Sequence, residues 1–250
     1  MIDPQGVPLS LYIHLPWCAR KCPYCDFNSH EGFTDSLQQP YVEALLTDLD
    51  SQQAWWHDRS IHSIFIGGGT PSLFEGRWLG ALLEGISIRA NLSRDVEITL
   101  ESNPGSAERE RFTEYRAAGV NRLSIGVQSF DDRALKALGR IHSGDDARRA
   151  LDMVAAADFR RWNIDLMHGL PGQHAQSAAS DLTEAVGRSA GHISWYQLTI
   201  ERNTRFWSTP PVLPDESDLE SIQQAGEGVL AEAGLHQYEV SAFSREGEES

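Results

Sequence analysis

Six short apolar runs alternate with segments of helical periodicity along this chain, and few folds accommodate such a series. Each run is four to eight residues long and rich in Ile, Leu, Val, Tyr or Trp, which is typical of strands buried on both faces of a sheet. Strand–helix units in succession favour a parallel sheet with right-handed crossovers. The predicted strands are Leu9–Leu15, Ser63–Ile66, Val96–Leu100, Arg122–Val127, Trp162–Met167 and Ile193–Ile200.

Such a series fits either an open six-stranded sheet or a partial (β/α)6 TIM-like barrel. We favour the barrel, because chemically distinctive residues recur directly after the first five strands. Barrels collect functional residues in the loops at the carboxyl ends of their strands, whereas an open sheet gathers them at one switch point. We therefore expect an α/β fold with one barrel domain over residues 1–245 and a polar end at 246–250.

Helix signals lie between the strands. Pro40 begins a helix whose apolar residues recur at helical spacing. Two S-x-x-D sequences, Ser129–Asp132 and Ser143–Asp146, predict capping boxes that start two more helices. Further helices are predicted at Trp78–Ile86, Glu108–Ala118, Asp181–Val186 and Leu219–Ala233, with a proline-rich loop at Ser208–Asp218.

Composition and charge exclude several classes of function. No apolar run approaches the roughly 18 residues of a membrane helix, and the first ten residues lack the basic and apolar regions of a signal peptide. We therefore expect a soluble cytoplasmic protein with no transmembrane segment. The chain carries 21 Lys and Arg against 36 Asp and Glu, a net charge of −15. Because nucleic acids require a basic face, no nucleic-acid partner is expected.

All three cysteines lie within eight residues, as Cys18, Cys22 and Cys25 in CARKCPYC. Three thiolates at C-x3-C-x2-C spacing can bind three irons of a [4Fe–4S] cluster and leave the fourth iron open. Structural zinc is the alternative, with His14 or His30 as fourth ligand, although zinc modules usually present two separated ligand pairs. A disulfide is disfavoured because three cysteines cannot all pair. The spacing therefore favours an iron–sulfur cluster.

A glycine-rich segment follows the second strand, as Gly67-Gly68-Gly69-Thr70-Pro71. Glycines let the backbone approach a ligand closely, but alone the segment is equally typical of an ordinary turn. On the first strand, Tyr12 and His14 share one face, which predicts that Tyr12 points inward beside the cysteine loop. Trp195 and Tyr196 in the sixth strand are interpreted as core residues without a functional role.

Polar residues recur at or beyond the ends of later strands. They are Glu101, Gln128, Arg140 and Asp165. A zwitterionic ligand needs anionic partners for its ammonium, a cation for its carboxylate and polar groups for a ribose. These four side chains supply that set.

Taken together, IHLPWCARKCPYCDFNSH, GGGTP, ESNPG, GVQSF and LMHGLPGQ resemble the radical S-adenosylmethionine (SAM) superfamily. Within it, the chain is similar to the oxygen-independent coproporphyrinogen III oxidases and the HemW-type heme chaperones. The resemblance spans Leu9 to Phe243. It implies a partial barrel of the radical SAM type, a [4Fe–4S] cluster on the three cysteines and reductive cleavage of SAM to a 5′-deoxyadenosyl radical. By the same resemblance, the residues that line the SAM site are Tyr12, Gly68, Gly69, Thr70, Glu101, Gln128, Arg140 and Asp165.

Two departures from the oxidases favour the chaperone branch. The oxidases carry another cysteine where this chain has Phe27, and an N-terminal extension where only 17 residues precede Cys18 here. The resemblance implies a protein that hands heme to apo-hemoprotein acceptors and takes electrons from a flavodoxin or ferredoxin; oxidative decarboxylation in porphyrin biosynthesis is the alternative. It also implies a further domain with an H-N-x-x-Y-W heme motif, which these 250 residues do not contain.

Overall fold

The computed structural model describes residues 6–105, 111–188 and 191–250, and its strands form one eight-stranded sheet within those ranges. Strands β1 to β6 are parallel and adjacent in chain order, and β8 and β7 extend the sheet beyond β6 in antiparallel pairing. The strands are β1 (Leu9–Leu15), β2 (Ser60–Gly68), β3 (Asn91–Ser102), β4 (Arg122–Gln128), β5 (Arg161–His168), β6 (His192–Gln197), β7 (His236–Glu239) and β8 (Ala242–Ser244).

Helices connect the parallel strands, and neighbouring helices pack side by side, as α1 does with α3 and α7 with α9. Short 3-10 turns precede α1 and α3, at Asp35–Leu37 and Pro71–Leu73. None of the helices within the described ranges combines the length and apolar composition that crossing a membrane requires. The helices are α1 (Gln38–Ser51), α2 (Gln53–Trp56), α3 (Gly76–Arg89), α4 (Phe112–Ala118), α5 (Asp132–Ala137), α6 (Gly144–Ala156), α7 (Ala175–Gly187), α8 (Arg205–Ser208) and α9 (Glu216–Glu232).

The sheet is curved like part of a barrel. Tyr196 on β6 donates a hydrogen bond of 2.6 Å to Gln128 on β4, although β5 lies between these strands. Strands two apart in a sheet are separated by roughly 9.5 Å, so the two side chains reach toward each other across β5 on one face of the sheet, as side chains do inside a barrel. The α/β class and the partial (β/α)6 barrel are thus confirmed, with β1 and β7 as the two edges.

The core lies between the sheet and the helices. All seven residues of β4 are buried, as expected for a central strand covered on both faces. Burying a Leu or Ile side chain stabilises the fold by about 1.5–3 kcal/mol. A second, smaller apolar cluster lies beneath the cysteine loop, where Tyr24 packs against Leu138, Met167, Leu198 and Phe206.

All six predicted strands are present, but several predicted boundaries were wrong. The sixth strand ends at Gln197, and the next residue, Leu198, donates its backbone N–H to His168 O at 2.8 Å as the chain leaves the sheet. The short strands β7 and β8 were not predicted. Residues 106–110, part of the predicted helix Glu108–Ala118, lie outside the described residues.

One of the two predicted capping boxes is confirmed. Ser143 and Asp146 cap each other's backbone at the start of α6. The prediction for Ser129 and Asp132 was wrong, because Asp131 is the N-cap of α5 and accepts from Arg133 N and Ala134 N. The hydroxyl of Ser129 donates instead to a carboxylate oxygen of Asp181 on α7, at 2.7 Å.

Candidate functional site

A cavity of about 350 Å³ lies at the carboxyl ends of the parallel strands. Each of the six strands, or the loop that follows it, contributes to its wall. Of the residues predicted to bind the cluster or SAM, ten line this cavity: Cys18, Cys22, Cys25, Gly68, Gly69, Thr70, Glu101, Gln128, Arg140 and Asp165. Residues distant in sequence are therefore brought to one place by the parallel topology.

The cysteine loop follows β1 and is closed at its base by backbone hydrogen bonds. Cys18 N donates to His30 O at 2.9 Å, and His30 N donates to Pro16 O at 2.7 Å. Within the loop, Lys21 Nζ donates to Phe27 O at 2.8 Å. Cys18, Cys22 and Cys25 are free thiols, so all three sulfurs remain available as ligands.

The donor set fits an iron–sulfur cluster better than zinc. Both ring nitrogens of His14 are engaged, Nδ1 with the hydroxyl of Tyr12 at 2.9 Å and Nε2 with Asn28 O at 2.8 Å. His30 Nε2 contacts the Asn28 side chain at 3.0 Å. Across the described part of the chain, no three His, Cys, Asp or Glu side chains converge as ligands of a single metal ion do. A cubane places three thiolates on three different irons, so it needs no such convergence.

The glycines after β2 permit close packing against the cysteine loop. Gly69 N donates to Leu15 O at 2.8 Å, and Thr70 N donates to Trp17 O at 2.7 Å. A Cβ at Gly69 would lie 2.5 Å from Trp17 O, which is shorter than any tolerated contact. Gly68 has a φ of +117°, a conformation that favours glycine, and its N–H donates to Glu101 Oε2 at 3.1 Å. These glycines thus allow β2 to pack directly against β3 and the cysteine loop.

Two carboxyl groups of the cavity have raised pKa values. Desolvation, followed by the nearby charge of Asp165, raises the pKa of Glu101 to about 7. Desolvation also raises the pKa of Asp165 to about 6, against hydrogen bonds from Ser124 at 2.7 Å and Asn163 at 2.8 Å that favour its ionised form. Both groups therefore titrate near neutral pH, and a bound cation would favour their ionised forms.

Arg140 links the cysteine loop to the cavity wall. Its Nη1 donates to Cys22 Sγ at 3.6 Å, and its Nη2 donates to Gly126 O at 2.8 Å and to the side chain of Asn103. Its Nε is buried and has no hydrogen-bond partner among the described residues. Because such a donor is costly to leave unsatisfied, the site fits a ligand that carries an acceptor such as a carboxylate.

Tyr12 is the predicted site residue that does not line the cavity. Tyr12 is 57% exposed. Its ring stacks on Phe65 with 6.3 Å between the ring centroids, and its hydroxyl forms a hydrogen bond with His14 Nδ1. Its pKa is raised by desolvation and then by the charge of Glu101. A role for Tyr12 in ligand binding stays a prediction.

Several residues of the wall were not identified from the sequence. Tyr196 had been interpreted as core, yet it lines the cavity, as do Tyr24, Asn103 and Ser124. Asn103 lies in ESNPG, two residues after Glu101, and its position after a strand was the available signal. Nothing in the spacing of Tyr196 distinguishes it from a packing residue.

A model of the radical SAM superfamily matches residues 12–185. Over 240 residues the chain is 52% identical to the heme chaperone HemW of Escherichia coli, covering 96% of this chain and 64% of that protein. It is 48% identical to HemW of Haemophilus influenzae, covering 98% of this chain and 65% of the relative. The chain thus spans just under two thirds of the length of these relatives.

The solved structure of coproporphyrinogen III oxidase HemN from Escherichia coli, described as a radical SAM enzyme, is also similar. Its TM-score is 0.87 at 25% sequence identity, covering 99% of this chain and 57% of the oxidase. The radical SAM methyltransferase TsrM from Kitasatospora setae, solved with cobalamin and a [4Fe–4S] cluster, has a TM-score of 0.55 at 15% identity and shares the fold.

Proposed function

Because this chain belongs to the radical SAM superfamily, we propose that Cys18, Cys22 and Cys25 bind a [4Fe–4S] cluster and that the adjoining cavity binds SAM. The observation that carries the proposal is that these cysteines and seven of the predicted ligand-binding residues line the same cavity. When bound, the cluster supplies a low-potential electron for reductive cleavage of SAM.

The wall offers partners for the carboxylate and the ammonium group of SAM. Arg140, with its unpartnered Nε, would receive the carboxylate. Glu101 and Asp165 would receive the ammonium group or the ribose hydroxyls, and ligand binding would draw their pKa values down. Gly68 and Gly69 line the cavity, so the ligand can contact their backbone directly.

Anaerobic reconstitution followed by EPR spectroscopy of the reduced protein tests this proposal. A [4Fe–4S] signal that changes when SAM is added is the expected result. A protein that retains zinc and no iron, or a cluster whose signal SAM leaves unchanged, would contradict it.

We further propose that the protein binds heme and transfers it to apo-hemoproteins in the cytoplasm, with a flavodoxin or ferredoxin as electron donor. The support is the name of the HemW relatives at 52% and 48% identity, together with Phe27. This residue lines the cavity and is 60% exposed, at the position where the oxidases are expected to carry a further cysteine.

Heme titration followed by transfer to apomyoglobin distinguishes this function from the alternative. The chaperone should acquire a heme absorption band and then lose it to the acceptor. The similarity to HemN makes coproporphyrinogen oxidation the second candidate. Anaerobic incubation with coproporphyrinogen, SAM and a reductant should give no vinyl product if the chaperone proposal is right.

A further inference from the structure

Gln128, at the end of β4, is held in an unusual conformation by residues that the resemblance does not place in the site. We propose that Tyr196 and Asp181 are positioning residues that fix the Gln128 amide so that its NH2 group, rather than its carbonyl oxygen, faces the cavity. The inference rests on the proposed binding of SAM and adds a residue-level account of how one wall of that site is oriented.

The backbone of Gln128 is the first part of the argument. Its φ is +69°, a left-handed conformation that non-glycine residues adopt rarely and that requires support from the surroundings. The pairing between β4 and β5 is irregular between Ile125 and Gln128, and such bulges redirect side chains next to functional sites. The conformation therefore serves to turn Gln128 into the cavity, which it lines.

Neighbouring elements hold this turn on both sides. Before it, Val127 O accepts a hydrogen bond from His142 Nε2 at 3.0 Å. After it, Asp181 on α7 accepts from Phe130 N at 2.8 Å and from Ser129 Oγ at 2.7 Å. Asp181 is 7% exposed and does not line the cavity, so it can affect a ligand only through this turn.

The side chain is oriented by Tyr196. The tyrosine hydroxyl donates to Gln128 Oε1 at 2.6 Å, and Gln128 is 5% exposed. A flipped amide would turn its NH2 group toward the hydroxyl and deprive the hydroxyl hydrogen of this acceptor. With Oε1 occupied, the two N–H groups of Nε2 remain as donors. The absence of a side chain at Gly126, whose added Cβ would lie 3.0 Å from Nε2, leaves room for that orientation.

A fixed donor selects for a ligand with an acceptor at the matching point. An amide that could flip would present either its NH2 group or its carbonyl oxygen to the cavity. It could then bind a ligand acceptor or a ligand donor equally well and would discriminate less between ligands. The hydroxyl of Tyr196 thus acts on the ligand through Gln128 and need not touch it.

A double-mutant cycle tests the inference in cluster-loaded protein, with the dissociation constant of SAM as the readout. Tyr196→Phe should weaken SAM binding about three- to tenfold, the effect of one hydrogen bond, while iron content is unchanged. In a Gln128→Ala background the same substitution should have no further effect. An equal loss in both backgrounds would show that Tyr196 acts on SAM independently of Gln128, and no loss in either would also overturn the inference.

Two further variants separate orientation from packing. Gln128→Glu keeps an acceptor for Tyr196 but removes the donor, so it should bind SAM as weakly as Gln128→Ala; unchanged affinity would refute the assigned orientation. Asp181→Asn should weaken binding only when Gln128 is present.

Tyr238→Phe is the matched control, because its hydroxyl contacts His192 at the opposite end of β6 and its loss should leave SAM binding unchanged. A wild-type protein that does not bind SAM would refute the proposed function itself. A wild-type protein that binds SAM as tightly as its variants do would refute only this inference.

Discussion

At the scale of single residues, the roles of the cysteines and of Arg140 can be separated by experiment, although Arg140 contacts Cys22. Cys22 Sγ accepts a hydrogen bond from Arg140, yet the two side chains have different proposed tasks. Cys22→Ala leaves two thiolates, so we expect most of the bound iron and sulfide to be lost on reconstitution. Arg140→Ala retains all three thiolates and should keep the cluster while weakening SAM binding at least tenfold, because a charge-assisted hydrogen bond is removed.

Iron and sulfide analysis, with SAM titration followed by EPR, measures both effects. Thr47→Ala, on the exposed face of α1, is the control and should change neither. A Cys22→Ala protein with full iron content would contradict the ligand assignment, and an Arg140→Ala protein with unaltered affinity would contradict the role of the guanidinium.

Titration of Glu101 should affect both the free energy of unfolding and the affinity for SAM, in opposite directions. Its pKa rises from 4.5 to about 7 on folding, so the folded state binds more protons than the unfolded state between these values. The contribution of Glu101 to the free energy of unfolding should therefore fall as pH rises through this window. SAM binding should do the reverse, strengthening as pH rises past about 7, because the ionised carboxylate is the better partner for an ammonium group.

Urea unfolding at pH 5 and pH 8, with SAM titration at both, checks this prediction. Glu101→Gln should lose less stability, or gain more, than the wild type between pH 5 and pH 8, and it should weaken SAM binding at pH 8. Asp165, with a pKa of about 6, should preserve part of the pH dependence in that variant. A Glu101→Gln variant whose unfolding free energy changes between pH 5 and pH 8 by the same amount as that of the wild type would contradict the assignment, because buried histidines such as His142 contribute a pH dependence of their own to both proteins.

At the scale of elements, the junction between β2 and the cysteine loop leaves no space for a side chain. Gly69→Ala would place Cβ 2.5 Å from the backbone oxygen of Trp17, so either the strand end or the loop must move. We expect a loss of about 1–3 kcal/mol in unfolding free energy, as for overpacked cores, and a more labile cluster. Gly187→Ala is the matched control, because no atom lies within 4 Å of its added Cβ. Equal stability of the two variants by urea denaturation would contradict this account.

Elements buried on both faces were predictable from the sequence, and those set by tertiary contacts were not. The run RLSIGV predicts β4 because every residue after Arg122 is apolar or small, and the strand is entirely buried. The residues of β7 are all exposed, so they have no periodicity that would reveal a strand. Asp181 could not be associated with Ser129 from sequence, since the hydrogen bond joins residues 52 positions apart. The proposed role of the cysteines follows from their local spacing, whereas Tyr196 reaches the cavity wall only through the tertiary fold.

At the scale of the whole molecule, the two ends of the parallel strands have different tasks. The carboxyl ends carry the cavity, and the amino ends carry a charged cluster that holds the final residues of the described chain. At the start of β4, Arg122 is 1% exposed and donates to Glu97 Oε2 at 3.2 Å, Glu249 O at 3.1 Å and Glu248 O at 3.3 Å. In barrels of this kind, the amino ends contribute stability and the carboxyl ends contribute chemistry.

This division predicts that stability and SAM binding can be changed separately. Arg122→Met removes a buried charge from beneath the sheet and leaves two carbonyl groups without their donor, while Glu97 keeps Arg161 as a donor. We therefore expect about 2–4 kcal/mol of lost stability. Arg161 is the matched control: it pairs with Arg122 across β4 and β5, also contacts Glu97, and is 45% exposed. Arg161→Met should therefore cost only about 0–1 kcal/mol.

Urea denaturation measures the difference in stability between these two variants. SAM titration of the folded, cluster-loaded variants should give the wild-type affinity for both. Weakened SAM binding in folded Arg122→Met protein would show that the amino-terminal ends of the strands are coupled to the cavity and that the two tasks are not separate.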